Sequence, residues 1–144
     1  MDHLYLLATL AGTSIAIETA EVEAVVKLAD ISPVPGAAAH VAGLSALRSR
    51  VLTIIDAAAL IRGIPTATAA PCFAVIAEIA GHSYGVMVDG VSDICRADGG
   101  ALPLRGQLDP AWAPYARGIV EREGRPYLLV SLAGFIEGPL AQAA

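Results

Sequence analysis

Leu10-Ala11-Gly12-Thr13-Ser14 returns 69 positions later as Ile79-Ala80-Gly81-His82-Ser83, and this recurrence divides the chain in two. Each copy is a break of small residues between apolar runs. Leu4–Leu10 precedes the first and Ile15–Ile17 follows it; Cys72–Ile79 precedes the second and Tyr84–Val88 follows it. Short apolar runs on either side of such a break read as a β-hairpin. The same offset carries Val22 onto Val91. An offset of 75 carries Gly43, Arg50, Ala58, Ile61 and Gly63 onto Gly118, Arg125, Ala133, Ile136 and Gly138, and Leu44, Ile54, Ile55 and Leu60 onto Ile119, Leu129, Val130 and Phe135.

Between these landmarks each half runs hairpin, strand, hairpin, short helix. In the first half Val22–Leu28 is a strand, ended by Ser32-Pro33-Val34-Pro35-Gly36, where two prolines remove backbone donors. Ala37–Ala42 reads as a helical turn, and Leu44–Arg48 and Val51–Ile55 flank a turn at Ser49-Arg50. Asp56–Arg62 is a short helix with Asp56 as N-cap and Gly63 as its stop. Ile64–Pro71, rich in Thr, Ala and Pro, is a loop. The second half supplies a strand at Val91–Arg96 and an irregular piece over Asp98–Pro114. Arg117–Arg122 and Pro126–Val130 flank Glu123-Gly124-Arg125, Ser131–Glu137 is a closing helical turn, and Gly138–Ala144 is frayed. Five short antiparallel strands bury too little alone, so each half is expected to curl into a barrel and share a core with the other. The expectation is one all-β domain over residues 1–144. Its halves lie at roughly 1–63 and 72–138, with exchange of strands between the barrels left open.

Composition narrows the function. The chain of 144 residues is 56% hydrophobic and 16% charged, which excludes disorder. Its net charge of −5 is scattered without a basic stripe, which argues against nucleic acid and against anionic membrane surfaces. The longest uncharged stretch, Ile31–Leu47, is interrupted by prolines and glycines and falls short of the ~20 apolar residues of a membrane span. Leu4–Ala11 follows Asp2 and His3 rather than basic residues, so it reads as a strand and not as a signal peptide. Two cysteines, Cys72 and Cys95, suit free thiols in a reducing cytoplasm.

Catalytic motifs fare poorly. Gly81-His82-Ser83-Tyr84-Gly85 matches the Gly-x-Ser-x-Gly elbow, which would make Ser83 the nucleophile of a small hydrolase. The elbow needs a helix after the serine, and here Val86-Met87-Val88 continues a strand. No histidine follows His82, and His3, His40 and His82 have no metal-ligand spacing with each other or with the cysteines. No catalytic, cofactor or metal site is assigned. A ligand-binding barrel would need a sizeable cavity, which short, alanine-rich strands do not favour.

Four segments together resemble the CheW family of bacterial chemotaxis adaptors. They are Val22-Glu23-Ala24-Val25-Val26 with Ile31-Ser32-Pro33-Val34-Pro35-Gly36; Val41-x-Gly43-Leu44-x-x-Leu47-Arg48 running into Val51-Leu52-x-Ile54-Ile55-Asp56; Gly85-Val86-x-Val88-Asp89-x-Val91-x-x-Ile94; and Tyr115-x-x-Gly118-Ile119 leading to Leu128-Leu129-Val130. The resemblance implies two intertwined five-stranded SH3-like barrels and a non-catalytic adaptor that needs no cofactor. It implies a free-standing cytoplasmic protein that binds chemoreceptor cytoplasmic tips and the regulatory domain of a CheA-type histidine kinase, reaching membrane arrays through those partners. A receptor helix would dock in an apolar groove lined by Val25, Val41, Leu44, Val88 and Ile94, with Arg48 as the foremost polar contact. The chain departs from the family pattern at Ala24, where a glutamate is frequent, and at Ala46 and Ser49 around Leu47-Arg48. Ser131 stands where aspartate is common.

Overall fold

Three turns set the strand registers. Ala11-Gly12, Ala80-Gly81 and Glu123-Gly124 each hold both residues at positive φ, between 51° and 81°. That pair of left-handed residues makes the tight two-residue hairpin whose twist matches the strands on either side. Glycine takes this conformation without strain in the second position, and the first position accepts it in all three turns. The turns are therefore shorter than their sequence suggests, and Ser14, Ser83 and Arg125 belong to strands.

The computed structural model describes residues 3–28, 31–32, 41–47, 49–63, 72–97 and 110–142. Arg48, the Ile64–Pro71 loop, most of the expected turn at Ala37–Ala42 and most of the irregular Asp98–Pro114 piece lie outside them. The first half contributes β1 (His3–Leu10), β2 (Thr13–Glu18), a 3-10 turn (Thr19–Glu21), β3 (Ala24–Leu28), β4 (Val41–Leu47), β5 (Arg50–Ile55) and α1 (Ala57–Arg62). The second contributes β6 (Cys72–Ile79), β7 (His82–Val88), β8 (Gly90–Ala97), β9 (Ala116–Arg122), β10 (Arg125–Val130) and α2 (Leu132–Gln142). Further expectations change. Val41 and Ala42, expected in a helical turn, open the strand β4. Leu47 pairs with Arg50, so Arg50 lies in β5 and not in the turn. α2 runs 11 residues to Gln142, past the Gly138 that suggested its end.

The sheets are ordered β8-β1-β2-β10-β9 and β3-β6-β7-β5-β4. Each takes one hairpin from one half of the chain and three strands from the other, so the strands are exchanged. The junctions are parallel: Leu128 and Leu129 of β10 pair with Ile15 and Ala16 of β2, while Thr53 and Ile54 of β5 pair with Tyr84 and Gly85 of β7. The offsets of 69 and 75 map one junction onto the other residue by residue, so the internal repeat is a register-true pseudo-twofold.

Alternation along the strands fills three cores. Tyr5, Leu7, Ala16, Cys95, Val120 and Leu129 fill the first barrel, and Leu28, Leu52, Ile54, Ala74, Ile76 and Met87 fill the second. The opposite faces of the same strands, including Leu6, Ile17, Ile55, Val75, Val86 and Val130, meet between the barrels, with Phe135 and Ile136 of α2 beside them. Strands buried on both faces read as continuous apolar runs, which accounts for the hydrophobic composition.

The barrels close differently. In the first, β8 approaches β9 and Arg122 Nη1 reaches Asp93 Oδ2 at 2.8 Å. In the second, the chain after β3 pairs with β4: Ser32 N–H donates to the Leu44 carbonyl at 2.8 Å and Leu44 N–H to the Ser32 carbonyl at 2.9 Å. A bulge between Val41 and Gly43 brings the backbones this close. Gly43 has φ 152°, and a Cβ there would stand 2.3 Å from the Ser32 carbonyl oxygen.

Two outcomes follow. Gly43→Ala should cost about 3 kcal/mol in urea unfolding, from backbone strain together with loss of the Ser32–Leu44 closure. Residues 1–70 expressed alone should fail to melt cooperatively, because β1 and β2 would lack the sheet that β8, β9 and β10 provide. A soluble half with a sharp transition would contradict the shared-core architecture.

Candidate functional site

The residues expected to line one groove are distributed by the pleat. Val25, Val75, Val86, Ile55 and Val41 form one cross-strand row through β3, β6, β7, β5 and β4. The middle of that row is buried against the other barrel, and its ends emerge: Val25 is 38% exposed and Val41 is half-buried. Val88, on β7, is only 6% exposed and packs in the shared core, so it lines no surface. Leu44, 38% exposed, lies on the edge strand β4. Ile94, 57% exposed, lies on β8 in the other sheet, opposite Leu6 and through it Ile17.

Val25 and Ile94 are related by the offset of 69, and the equivalence extends to their neighbours. Leu6 pairs with Ile94 and Leu4 with Arg96, so Leu4, Ile94 and Arg96 share one exposed face of β1 and β8. Val25 pairs with Val75 and Lys27 with Phe73, so Phe73, Val25 and Lys27 share the corresponding face of β6 and β3. All six side chains are exposed. Each barrel thus displays two apolar side chains beside one cation. Leu4, Phe73, Lys27 and Arg96 were absent from the groove expected from sequence, although the repeat offset carries Leu4 onto Phe73 and Lys27 onto Arg96. Val51, 63% exposed opposite Ala46 on the β4–β5 hairpin, is a further apolar position the sequence reading passed over.

Charges near these faces are locally paired. Asp93 accepts from Arg122 and from the Ile94 N–H, both at 2.8 Å. The hydrogen bond from Arg122 is the main cause that holds the Asp93 carboxyl below the usual carboxylate range. The stability this pair adds is present above the ordinary carboxylate pKa and fades as pH falls through the depressed one. Because Asp93 is exposed and Arg122 only half-buried, solvent screens the pair and the contribution is small. Arg50 Nη1 donates to Glu23 Oε1 at 2.9 Å and reaches Ser83 Oγ at 3.3 Å. Ser83 sits inside β7 with strand on both sides, not on a strand-to-helix turn, so the Gly-x-Ser-x-Gly match lacks the geometry of a nucleophile elbow. Asp89 accepts from Gly12 N–H at 3.1 Å, and its own N–H donates to the Thr9 carbonyl at 2.8 Å, a turn role.

Among the described residues no group of three His, Cys, Asp or Glu side chains could hold a metal ion, and no helix is long and apolar enough to cross a membrane. A cleft of about 600 Å³ opens beside the start of α2, lined by Glu18, Glu21, Arg117, Leu129, Ser131 and Ala133 among others. Next to it, Tyr115 stacks on Phe135 with ring centroids 4.3 Å apart, and burial raises the Tyr115 phenol above its ordinary pKa.

Comparison with known proteins agrees with this architecture. The family description of the CheW-like domain matches residues 4–139. A chemotaxis protein CheW of Rhizobium meliloti (strain 1021) is 30% identical over 114 residues, covering 78% of this chain and 74% of that protein. The crystal structure of the scaffolding protein TtCheW from Thermoanaerobacter tengcongensis superposes with a TM-score of 0.77 at 20% identity, over 92% of this chain and 86% of that one.

Burial separates surface from core in a way that unfolding can read. Val25→Ser and Ile94→Ser should each lower stability by less than about 1 kcal/mol, whereas Val88→Ser should cost about 3 kcal/mol, by loss of apolar burial and introduction of a buried hydroxyl. Comparable losses at all three positions would show that Val25 and Ile94 are core residues.

Proposed function

Because the chain belongs to the CheW-like domain family, we propose that it is a non-catalytic adaptor that couples chemoreceptor cytoplasmic tips to a CheA-type histidine kinase. The observation that carries this reading is the family match from residue 4 to residue 139, which takes in both barrels and the strands they exchange. An adaptor needs accessible apolar anchors on a rigid frame, with charge beside them to set orientation. The Leu4–Ile94–Arg96 and Phe73–Val25–Lys27 faces meet that description, and Leu44 and Val41 extend the apolar surface along β4. Val88 pairs directly with Phe73 on the same face, at the buried end of that row, and supports it from the side of the shared core. Arg48 follows β4 directly and remains the proposed polar contact; a guanidinium can make a bidentate bond to a partner carboxylate.

A hydrolase centred on Ser83 gains no support from a serine held inside a strand. A small-molecule barrel gains none from interiors filled with Tyr5, Leu7 and Leu129 on one side and Leu52, Ile54 and Met87 on the other.

The test is co-sedimentation of the full chain with a receptor cytoplasmic fragment and a CheA-type kinase. Arg48→Ala should weaken binding by about 2 kcal/mol, roughly thirtyfold, with little change in melting temperature. Val25→Ser and Ile94→Ser should each weaken binding to at least one of the two partners. Unchanged binding in all three variants would reject these residues as the docking surface, and failure of the unaltered chain to bind either partner would reject the coupling role.

A further inference from the structure

The two helices are related by the offset of 75, yet their first turns are capped by different means. Asp56 caps α1 with its own carboxylate, Oδ1 accepting from Ala59 N–H at 3.1 Å. The equivalent of Asp56 is Ser131 and the equivalent of Ala59 is Gly134. Ser131, buried at 6% exposure, accepts from Gly134 N–H at 3.4 Å through its hydroxyl, which is a neutral acceptor. The carboxylate that Ser131 lacks arrives from 110 residues away. Glu21 Oε2 accepts from the Ser131 hydroxyl and from Ala133 N–H, each at 3.3 Å. The offset of 69 carries Glu21 onto Gly90, which has no side chain to offer α1. Among the described residues each helix start thus has one carboxylate bonded to its N–H groups, its own for α1 and a borrowed one for α2, with Glu18 and Arg117 lining the same cleft beside α2.

We infer that Glu21 is the displaced half of a split N-cap, a positioning residue that fastens α2 to the 3-10 turn between β2 and β3. The physical basis is the partial positive charge and the unpaired N–H groups of a helix start, which one carboxylate stabilises. A second carboxylate there would face the first across a half-buried cleft and repel it. Glu21 and residue 131 are thus coupled: a carboxylate at one position removes the benefit of a carboxylate at the other. The fastening has a structural purpose, because α2 carries Leu132, Phe135 and Ile136 into the shared core, and the 3-10 turn lies where the chain leaves one barrel for the other.

The experiment is a double-mutant comparison on the full chain, read by amide hydrogen exchange at Ala133 and Gly134 and by the urea midpoint. In the native background Glu21→Gln should speed Ala133 exchange about fivefold or more and lower the midpoint, in line with loss of a cap. Glu21→Asp, one methylene shorter, should behave like Glu21→Gln. In a Ser131→Asp background, which rebuilds the arrangement of α1, Glu21→Gln should slow exchange or raise the midpoint, since it removes one of two facing carboxylates. An effect of Glu21→Gln with the same sign and size in both backgrounds would overturn the coupling. Absence of any effect on Ala133 and Gly134 exchange in the native background would overturn the cap itself.

Discussion

The parallel pairings of β2 with β10 and of β5 with β7 are where the two halves of the chain become one molecule. A hairpin such as β1–β2 has two open edges. β8 covers one and β10 the other, and both come from the second half. The β6–β7 hairpin is covered in the same way by β3 and β5 from the first half. Every inter-sheet contact in the shared core presupposes this exchange. Leu6 and Ile17 lie in one sheet and Val75 and Val86 in the other, and their common side exists only once both sheets are assembled.

Pseudo-symmetry supplies a frame, and departures from it are where the chain acquires individual features. The interior of the first barrel holds Ala16 where the second holds Gly85. A Cβ at Gly85 would stand 2.9 Å from Ile54 Cδ1 and 3.3 Å from Ile76 Cδ1, so these two side chains reach into the space a methyl group would need. Trp112 and Tyr115 are buried, and Tyr115 stacks on Phe135 of α2. The first barrel closes where β8 approaches β9, with the Arg122–Asp93 ion pair across the gap, and the second by Ser32–Leu44 backbone pairing beside Gly43. The edge faces, by contrast, keep their chemistry in both barrels, with two apolar side chains and a cation each. An adaptor depends on surfaces more than on cavities, and those faces hold four of the six exposed large apolar side chains among the described residues.

How much of this was legible in the sequence varied with the range of the forces involved. The Ala-Gly turns and the Asp56–Gly63 helix limits are local, because a left-handed glycine or a capping carboxylate acts within a few residues. α2 was read too short, since Gly138 and Pro139 resemble a stop. Leu132, Phe135 and Ile136, held by the shared core, anchor the first turns, and the helix continues from them through Gly138 to Gln142. Val88 was read as groove because a strand valine has the same local signature whether its face meets solvent or another sheet. Arg48 stays a sequence-based assignment, outside the described residues.

By itself, the sequence determined the strand count, the hairpins, the repeat and the family, all of which rest on local turn chemistry and on residue order. Only the tertiary structure decided that the strands are exchanged, which faces of each strand are buried, and that Glu21 stands at the helix begun by Ser131. The reason is physical. Period-two alternation fixes that a strand has two faces, but which face meets water depends on the sheet opposite, and that sheet is built from residues far away in the chain. The borrowed cap is the extreme case, since Glu21 and the Ala133 N–H it satisfies are 112 positions apart and no local pattern links them.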